Sequence, residues 1–475
     1  MEKWLKEKVQ SEIIPAIADF IKIPNQSRLY DAEHSTNGLQ EKACQFSIDF
    51  AEKQGLKGLS IDFIQEEGKT PALLAIVEPF AGSSGEITES LKKTILMYGH
   101  IDKQPPLTDD WSEGLGPWKP VIKDGKLYGR GGADDGYAWF SCLMLARALQ
   151  EHNMPHNRLV FFFETDEESG SRDLMYYLMK YKEKIQKPAL IFCLDSGTTD
   201  YDHMCLTTTL RGVVCFRLRV DVLTQGVHSG SSSGVAPSSF RILRKILDEF
   251  ENADTGELPK ELYVDVPHDK YAQAMTLIDV MGGEIDFKFP LLEGVEKMGN
   301  SGFQTYMNRI WRPQLSITGV KGLPDCDVAG NVLLPFTELT CSLRLPPSKK
   351  AEDAQTFIKE FFDKVKVPSN AKFTCDVYKG GSGFECPAYS EAMLKVINKA
   401  GEEAFDKPVL YYGEGGSIPF LNDIKNVFPE AQFIVTGVLG PESNAHGPDE
   451  MLHLGYLEKL VLSMAKVLRD SPGAL

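Results

Sequence analysis

The sequence predicts an α/β protein in which a mixed β-sheet lies between layers of helices, interrupted by a smaller two-layer α+β segment. Its 475 residues favour at least two domains over a single hydrophobic core. Short apolar runs alternate with helical stretches in the first and last parts of the chain, which is typical of a buried parallel sheet. The middle part has a different pattern. We therefore expect one domain of residues 1–207 and 385–475, and an inserted domain of residues 208–384.

The first part of the chain begins with an amphipathic helix, because apolar residues from Trp4 to Ile21 recur at helical spacing. Apolar runs of four to eight residues then predict buried strands. A longer run that follows Asp134 and Asp135 predicts a helix with an aspartate near its N-cap. The predicted strands are residues 72–77, 94–98, 159–163 and 189–194, and the predicted helix is residues 136–151.

The middle part of the chain alternates polar and apolar residues, which predicts half-exposed strands. These strands are residues 213–222, 338–345 and 372–378, and helical spacing predicts helices at 236–250 and 351–365. Residues 251–310 are rich in glycine, proline and charge, and we expect them to be irregular. After residue 384 the first pattern returns, with a helix at 389–405, a strand at 432–438 and a helix at 455–468.

Composition excludes several classes of partner. The net charge of −16 repels nucleic acid and anionic membranes, and no stretch reaches the roughly 18 apolar residues of a membrane span. The N-terminus lacks the apolar core of a signal peptide. The nine cysteines are scattered without a Cys-x-x-Cys pair, which favours reduced thiols over disulfides. We therefore expect a cytoplasmic protein.

Polar residues follow three of the predicted strands. His100 and Asp102 follow the second, Glu167 and Glu168 the third, and Asp195 the fourth. Because open α/β sheets bind ligands beyond the carboxyl ends of their strands, we expect these side chains to share one crevice. Imidazole and carboxylates together suit a hydrolytic zinc or manganese site. Asp102 lies two residues from His100, so its carboxylate can orient the imidazole.

Two loops supply further candidate ligands. The glycine-rich segment 129–136 lacks the features of a phosphate-binding loop, and we interpret it as a tight turn that delivers Asp134 to the crevice. A carboxylate has two oxygens and can bridge two metal ions. His446 follows the last predicted strand and can supply a second imidazole. Taken singly, each of these residues is also compatible with a helix cap or a solvated loop.

The sequence also contains a motif that is typical of serine hydrolases. Residues 230–234 match the Gly-x-Ser-x-Gly pattern of a serine nucleophile, and a later aspartate and His446 could complete a triad. A Ser- and Gly-rich stretch produces this match by chance, and the predicted strand 213–222 does not lead directly into the turn. A non-enzymatic scaffold is disfavoured because every candidate ligand is present.

The ordered motifs resemble those of the M20 family of co-catalytic zinc peptidases, and within it the carnosinase-like cytosolic dipeptidases. The resemblance spans nearly the whole chain. It is carried by Gly-His-Ile-Asp at 99–102, Tyr-Gly-Arg-Gly-x-x-Asp-Asp at 128–135, Glu-Glu-Ser-Gly-Ser at 167–171, Asp195, Val-His-Ser-Gly at 227–230, Ser-Leu-Arg-Leu at 342–345, Gly-Glu-Gly-Gly-Ser-Ile-Pro at 413–419 and His446. It departs from the family at Gly136-Tyr137, where Lys-Gly is usual, and in the lengthened turn 229–234.

The resemblance implies a zinc-peptidase-like fold with an inserted lid or dimerisation domain, and a role for each motif residue. His100 and Asp195 would hold one metal ion, Glu168 and His446 the other, and Asp134 would bridge them. Glu167 would be the general base and Asp102 would orient His100. His228 of a second subunit would stabilise the oxyanion, Arg344 would bind the substrate carboxylate, and Asn331 and Ser417 would line the same pocket. A cis peptide bond is expected between Asp134 and Asp135.

The implied activity is hydrolysis of a dipeptide or short-peptide amide bond by a homodimer with two divalent metal ions. Zinc is the first expectation. Manganese and cobalt are alternatives, because carboxylate-rich sites accept all three metals. The same metal site would also suit an N-acyl amino-acid deacylase with a different pocket.

Overall fold

A six-stranded mixed sheet forms the centre of the computed structural model, which describes residues 1–475 except 284, 286–288 and 290. In spatial order its strands are Leu59–Ile64, Ala72–Val77, Arg158–Glu164, Thr94–His100, Pro188–Cys193 and Gln432–Val435. The first two pair antiparallel with their neighbours, and the last four run parallel to one another. All but the edge strand Leu59–Ile64 were predicted.

Helices cover both faces of this sheet, because successive residues of a strand point to opposite sides. In Ala72–Val77, Leu73 and Ala75 pack into one hydrophobic core, and Leu74 and Ile76 pack into another. The larger core is covered by Glu2–Lys8, Ile14–Ile21, Leu39–Lys53, Tyr137–Glu151, Glu391–Phe405 and Leu454–Asp470. The smaller core is covered by Leu174–Lys180, Lys182–Ile185 and Pro419–Val427. The predicted α/β/α arrangement is confirmed.

A second, antiparallel sheet has four strands. In spatial order these are Gln314–Lys321, Phe336–Leu345, Gly212–Asp221 and Lys372–Gly381. One face packs on the helices Ser239–Phe250 and Ala351–Asp363, where Phe216 contacts Phe250 and Phe362. The other face is more open, since residues of Phe336–Leu345 alternate between buried and half-buried. The predicted two-layer α+β unit is confirmed.

The prediction that residues 251–310 are irregular was wrong. They contain the helices His268–Val280 and Gly302–Ile310, whose apolar faces pack with Leu410 and Tyr412. Glycine and proline between these helices hid two amphipathic stretches. Both helices fall within 208–384, yet they pack on a strand that follows residue 384. The domain boundaries stay a prediction.

Three small sheets complete the fold. The first contains the strands Phe384–Glu385, Cys205–Leu210 and Leu410–Glu414. The second contains Met451–His453, Lys126–Tyr128 and Val121–Lys123. The third is a two-stranded ribbon of Val227–His228 and Val332–Leu333. The chain passes between the first of these and the four-stranded sheet beside Gly383. A Cβ there would lie 2.5 Å from Leu210 O and 2.7 Å from Pro347 O, so only glycine fits.

Short helical segments make the remaining turns. They are Val9–Ile13, Gly82–Ser84, Glu89–Lys92, Thr108–Asp110, Gly132–Gly136, Glu167–Ser169, Ser229–Ser232, Lys260–Leu262, Cys326–Val328, Pro368–Asn370 and Ser471–Gly473. Within the part of the chain that the structure describes, no helix combines the length and apolar character needed to cross a membrane.

Candidate metal centre

Three parallel strands deliver the first ligands to one edge of the central sheet. His100 is the last residue of Thr94–His100, and Asp195 follows Pro188–Cys193 by two residues. Glu167 and Glu168 lie in the turn Glu167–Ser169, just beyond Arg158–Glu164. Because these strands are neighbours and run in the same direction, their carboxyl ends share an edge of the sheet, as predicted.

Asp134 reaches this edge from the turn Gly132–Gly136, which precedes the helix Tyr137–Glu151. The peptide bond between Asp134 and Asp135 is cis, as expected. Asp135 Oδ2 accepts a hydrogen bond of 3.2 Å from the backbone N–H of His100. A Cβ at position 99 would overlap Asp135 Oδ2, so Gly99 allows this close approach. The contact fixes the turn against the end of the strand.

The two carboxylate oxygens of Asp134 face different histidines. His100 Nε2 lies 3.2 Å from Asp134 Oδ1 and 3.9 Å from Asp195 Oδ1. On the other side, His446 Nε2 lies 3.1 Å from Asp134 Oδ2 and 3.4 Å from Glu168 Oε2. The structure thus brings together all five residues predicted as metal ligands.

Three overlapping clusters of candidate ligand atoms form within this group, each with its atoms within 4.8 Å of one another. They are His100 with Asp134 and Asp195, Asp134 with Glu168 and His446, and His100 with Glu167 and Glu168. Asp134 belongs to the first two clusters. It is therefore the residue common to a cluster that contains His100 and a cluster that contains His446.

The separations fit a divalent metal. Ligand atoms about 2.0 Å from a tetrahedral ion are about 3.3 Å apart, close to the distances around Asp134. Glu168 Oε1 is buried and has no hydrogen-bond partner among the described residues, which leaves a lone pair available for a cation. The donor set of imidazole and carboxylate suits zinc, manganese or cobalt.

Burial and crowding of acids perturb the titration of this cluster. The pKa values of Glu167 and Glu168 both lie well above the usual range. Burial is the largest cause, and repulsion from neighbouring carboxylates adds to it. Burial likewise raises the pKa of Asp195 to about 6. Burial opposes ionisation of Asp134, but hydrogen bonds with His100 and His446 outweigh it and lower its pKa. Burial in the metal-free cluster therefore favours the protonated forms of Glu167, Glu168 and Asp195.

Contacts with neighbouring carboxylates favour the protonated form of both histidines. Burial disfavours protonation of His100, but hydrogen bonding with Asp102 and Asp134 raises its pKa well above the usual value. The hydrogen bond with Asp134 raises the pKa of His446. A divalent cation can replace these protons, since it binds neutral imidazole and ionised carboxylate.

Asp102 has a wider role than orienting the imidazole. Its Oδ1 lies 3.5 Å from His100 Nδ1, and its backbone carbonyl lies 3.1 Å from the same nitrogen. Its two carboxylate oxygens also accept the backbone N–H groups of Glu167 at 3.2 Å and Glu168 at 3.1 Å. Asp102 therefore ties His100 to the turn that carries both glutamates.

Glu167 and Glu168 are adjacent in the 3-10 turn Glu167–Ser169. In a 3-10 turn successive side chains are about 120° apart, and both carboxylates approach His100. Three residues that support the candidate ligands were not predicted from the sequence. Gln104 donates to Glu168 Oε2, and Arg130 pairs with Glu450 behind the turn of Asp134. Arg130 lies within the glycine-rich segment 129–136, but no spacing rule predicts its pairing with Glu450.

The four residues predicted for oxyanion and substrate binding fall into two groups. Arg344 Nη1 donates to Ser417 Oγ at 2.8 Å, where the open face of the four-stranded sheet meets the loop before Pro419–Val427. His228 and Asn331 are exposed on the two-stranded ribbon, where the N–H of Ser229 donates to Asn331 O at 2.9 Å. His228 belongs to none of the ligand clusters found among the described residues.

The Gly-x-Ser-x-Gly match does not form a nucleophile elbow. Its central Ser232 ends the short helix Ser229–Ser232, and its hydroxyl donates to the backbone carbonyl of His228 at 2.8 Å. The strand that precedes it has only two residues, Val227–His228. The segment therefore lacks the long strand, sharp turn and helix that expose a catalytic serine.

A mixed sheet that gathers imidazole and carboxylate side chains at one edge has the donor groups of a metal-dependent hydrolase. A family model described as peptidase family M20/M25/M40 matches residues 96–470. The chain belongs to this family and is a metal-dependent peptidase. The predicted family is confirmed.

Individual relatives agree with this assignment. The cysteinylglycine-S-conjugate dipeptidase of Corynebacterium striatum is 28% identical over 380 residues, covering 79% of this chain and 80% of that protein. The beta-Ala-His dipeptidase of Mus musculus is 26% identical over 382 residues, covering 76% and 73%. The solved structure of the di-peptidase Dug1p from Saccharomyces cerevisiae superimposes with a TM-score of 0.72 at 21% identity, covering 100% of this chain and 99% of that chain. The predicted similarity to carnosinase-like dipeptidases is confirmed.

Proposed function

We propose that the protein hydrolyses the amide bond of dipeptides or short peptides with two divalent metal ions. The observation that carries this proposal is the position of Asp134, whose two oxygens face His100 and His446 separately. His100 and Asp195 would hold one ion and Glu168 and His446 the other, with Asp134 between them. Zinc is the first candidate, and manganese and cobalt fit the same donors.

Divalent ions in this site would lower the pKa of a water molecule and polarise the substrate carbonyl. Glu167 is the candidate general base, since its carboxylate lies in one cluster with the carboxylate of Glu168 and the imidazole of His100. A carboxylate beside a metal-activated water can accept its proton and later return it. It would take the proton of the attacking water and deliver it to the leaving amine nitrogen.

Substrate orientation is assigned to Arg344 and Ser417. The planar guanidinium of Arg344 can bind a C-terminal carboxylate through two parallel hydrogen bonds. Ser417 Oγ accepts one Arg344 N–H and thereby fixes the orientation of the guanidinium. The named relatives act on dipeptides, which carry such a carboxylate. N-acyl amino-acid deacylation is not favoured by these comparisons.

We also propose a homodimer in which His228 and Asn331 of one subunit complete the site of the other. Both side chains are exposed, and His228 lies outside the clusters of its own chain. Exposed apolar side chains flank this ribbon, with Val235 86%, Val328 76% and Val332 48% accessible. Sedimentation should show a dimer. A monomer that turns over substrate normally would contradict this part of the proposal.

The cytoplasmic location remains a prediction. It is supported by the nine cysteines, which are all unpaired thiols in the structure.

The decisive experiment combines metal analysis with a panel of dipeptides and acylated amino acids. The wild-type protein should hold two ions per chain, lose activity with a chelator and recover with added zinc or manganese. Glu167→Gln should keep its metal but lose turnover by about 10²- to 10⁴-fold, because the proton acceptor is removed. Near wild-type turnover in this variant would exclude Glu167 as the base. A wild-type protein that binds no divalent ion would exclude the proposed function.

A further inference from the structure

A buried ion pair lies directly behind the candidate metal centre. Arg130 Nη1 and Glu450 Oε2 are 2.8 Å apart, and the two residues are 1% and 0% exposed. Neither side chain is among the candidate ligands. Their hydrogen bonds nevertheless all end on segments that carry those ligands.

Glu450 holds the turn of Asp134 through backbone N–H groups. Its Oε1 accepts from Ala133 at 3.0 Å and from Asp134 at 3.2 Å, and its Oε2 accepts from Gly131 at 3.0 Å. With Arg130, each oxygen of this carboxylate has two donors. The backbone N–H of Asp134 is therefore bonded to a residue of the His446 loop.

Arg130 holds the other side of the same arrangement. Its Nη2 donates to Gly447 O at 2.7 Å, one residue after His446. Its Nε donates to Pro105 O at 3.0 Å, on the segment that also contains Asp102 and Gln104. One guanidinium thus joins three loops that meet at the metal centre.

Stability alone does not account for such a pair. Desolvation of two charges cancels most of their attraction, and well-packed apolar replacements are often as stable. A charged pair does supply several directional hydrogen bonds at fixed positions. Here these bonds fix the backbone on either side of Asp134 and next to His446.

We propose that Arg130 and Glu450 are positioning residues that set the separation of Asp134 and His446. They would thereby determine the affinity for the ion shared by Asp134, Glu168 and His446, without contacting substrate. This inference rests on the proposed function, since it assumes that these three residues bind a cation.

Glu450→Gln is the test variant. Glutamine keeps one oxygen for Ala133 and Asp134, but its NH₂ group faces the donors of Arg130 and Gly131. We expect affinity for one of the two zinc ions to fall by about 10- to 100-fold, as is typical when partners of metal ligands are removed. Affinity for the other ion, which also shares Asp134, should fall less. Saturating zinc should restore kcat with an unchanged KM for dipeptide.

The matched control is Glu403→Gln, which breaks the 2.8 Å ion pair with Lys466 between two helices. It should lower Tm without changing either zinc affinity. Zinc affinities would be measured by competition with a chromophoric chelator, alongside Tm of the metal-free proteins. Arg130→Lys, which loses the bonds to Gly447 and Pro105, serves if Glu450→Gln does not fold.

The outcomes separate the two proposals. If wild-type protein binds two zinc ions and Glu450→Gln binds both with unchanged affinity, the positioning role is overturned while the proposed function stands. If wild-type protein binds none of zinc, manganese and cobalt, the proposed function itself fails. A shift in affinity for one ion, absent in Glu403→Gln, supports the positioning role.

Discussion

Asp102→Asn tests whether one buried carboxylate organises both halves of the metal centre. Asp102 is 1% exposed, accepts the N–H groups of Glu167 and Glu168, and lies beside His100. Asparagine keeps one acceptor oxygen and turns an NH₂ group toward a backbone N–H. The loss of one hydrogen bond to a charged group costs about 1.5–3 kcal/mol. Since about 1.4 kcal/mol is tenfold in rate, kcat/KM should fall roughly 10- to 100-fold.

The assay is steady-state hydrolysis of a dipeptide, together with zinc affinity and Tm. Asp173→Asn is the control, because Asp173 is also buried and accepts the N–H of Thr70 at 3.1 Å and Lys69 Nζ at 2.9 Å. The control should lose stability but keep zinc affinity. Equal zinc affinity and kcat within about threefold of wild type in Asp102→Asn would refute the reasoning.

Two further outcomes are expected. Arg344→Met should raise KM for a dipeptide at least about tenfold but leave KM for a dipeptide amide unchanged, because only the carboxylate needs the guanidinium. The control is Arg217→Met, which removes an exposed ion pair with Asp376. Equal effects of Arg344→Met on both substrates would contradict the assignment. The pKa of Asp195 is about 6 in the folded chain, against an ordinary 3.8, so folding favours its protonated form. This contribution to the stability of the metal-free protein is complete below about pH 4 and is lost as pH rises through 6. Zinc competes with those protons, so its increase in Tm should be larger at about pH 7.5 than at about pH 5.5, and the reverse order in calorimetry would refute this.

The parts of the fold with strong local patterns could be predicted from sequence. Strands buried on both faces, such as Ala72–Val77 and Thr94–His100, are continuous apolar runs with few alternatives. The edge strand Leu59–Ile64 is half-exposed and mixes polar with apolar residues, so its pattern is weak. The helices within 251–310 are stabilised by packing on the distant strand Leu410–Glu414, a long-range contact that local composition does not encode.

The candidate site shows the same division. The convergence of candidate ligands at strand ends, such as His100 and Asp195, follows from the rule that parallel strands share a carboxyl edge. Gln104, Arg130 and Glu450 act through side-chain or backbone contacts between loops far apart in sequence. Such contacts depend on the folded arrangement of those loops. A sequence motif can include these residues without indicating which atoms they contact.

The two histidines differ sharply in access to water. The side chain of His100 is 0% exposed, whereas that of His446 is 58% exposed, on a loop where His446 itself has φ of 66°. A cation beside His446 would exchange with bulk solvent more readily than one beside His100. Partial stripping should therefore yield a single-ion form with the inner position filled, and metal content on purification would depend on buffer history.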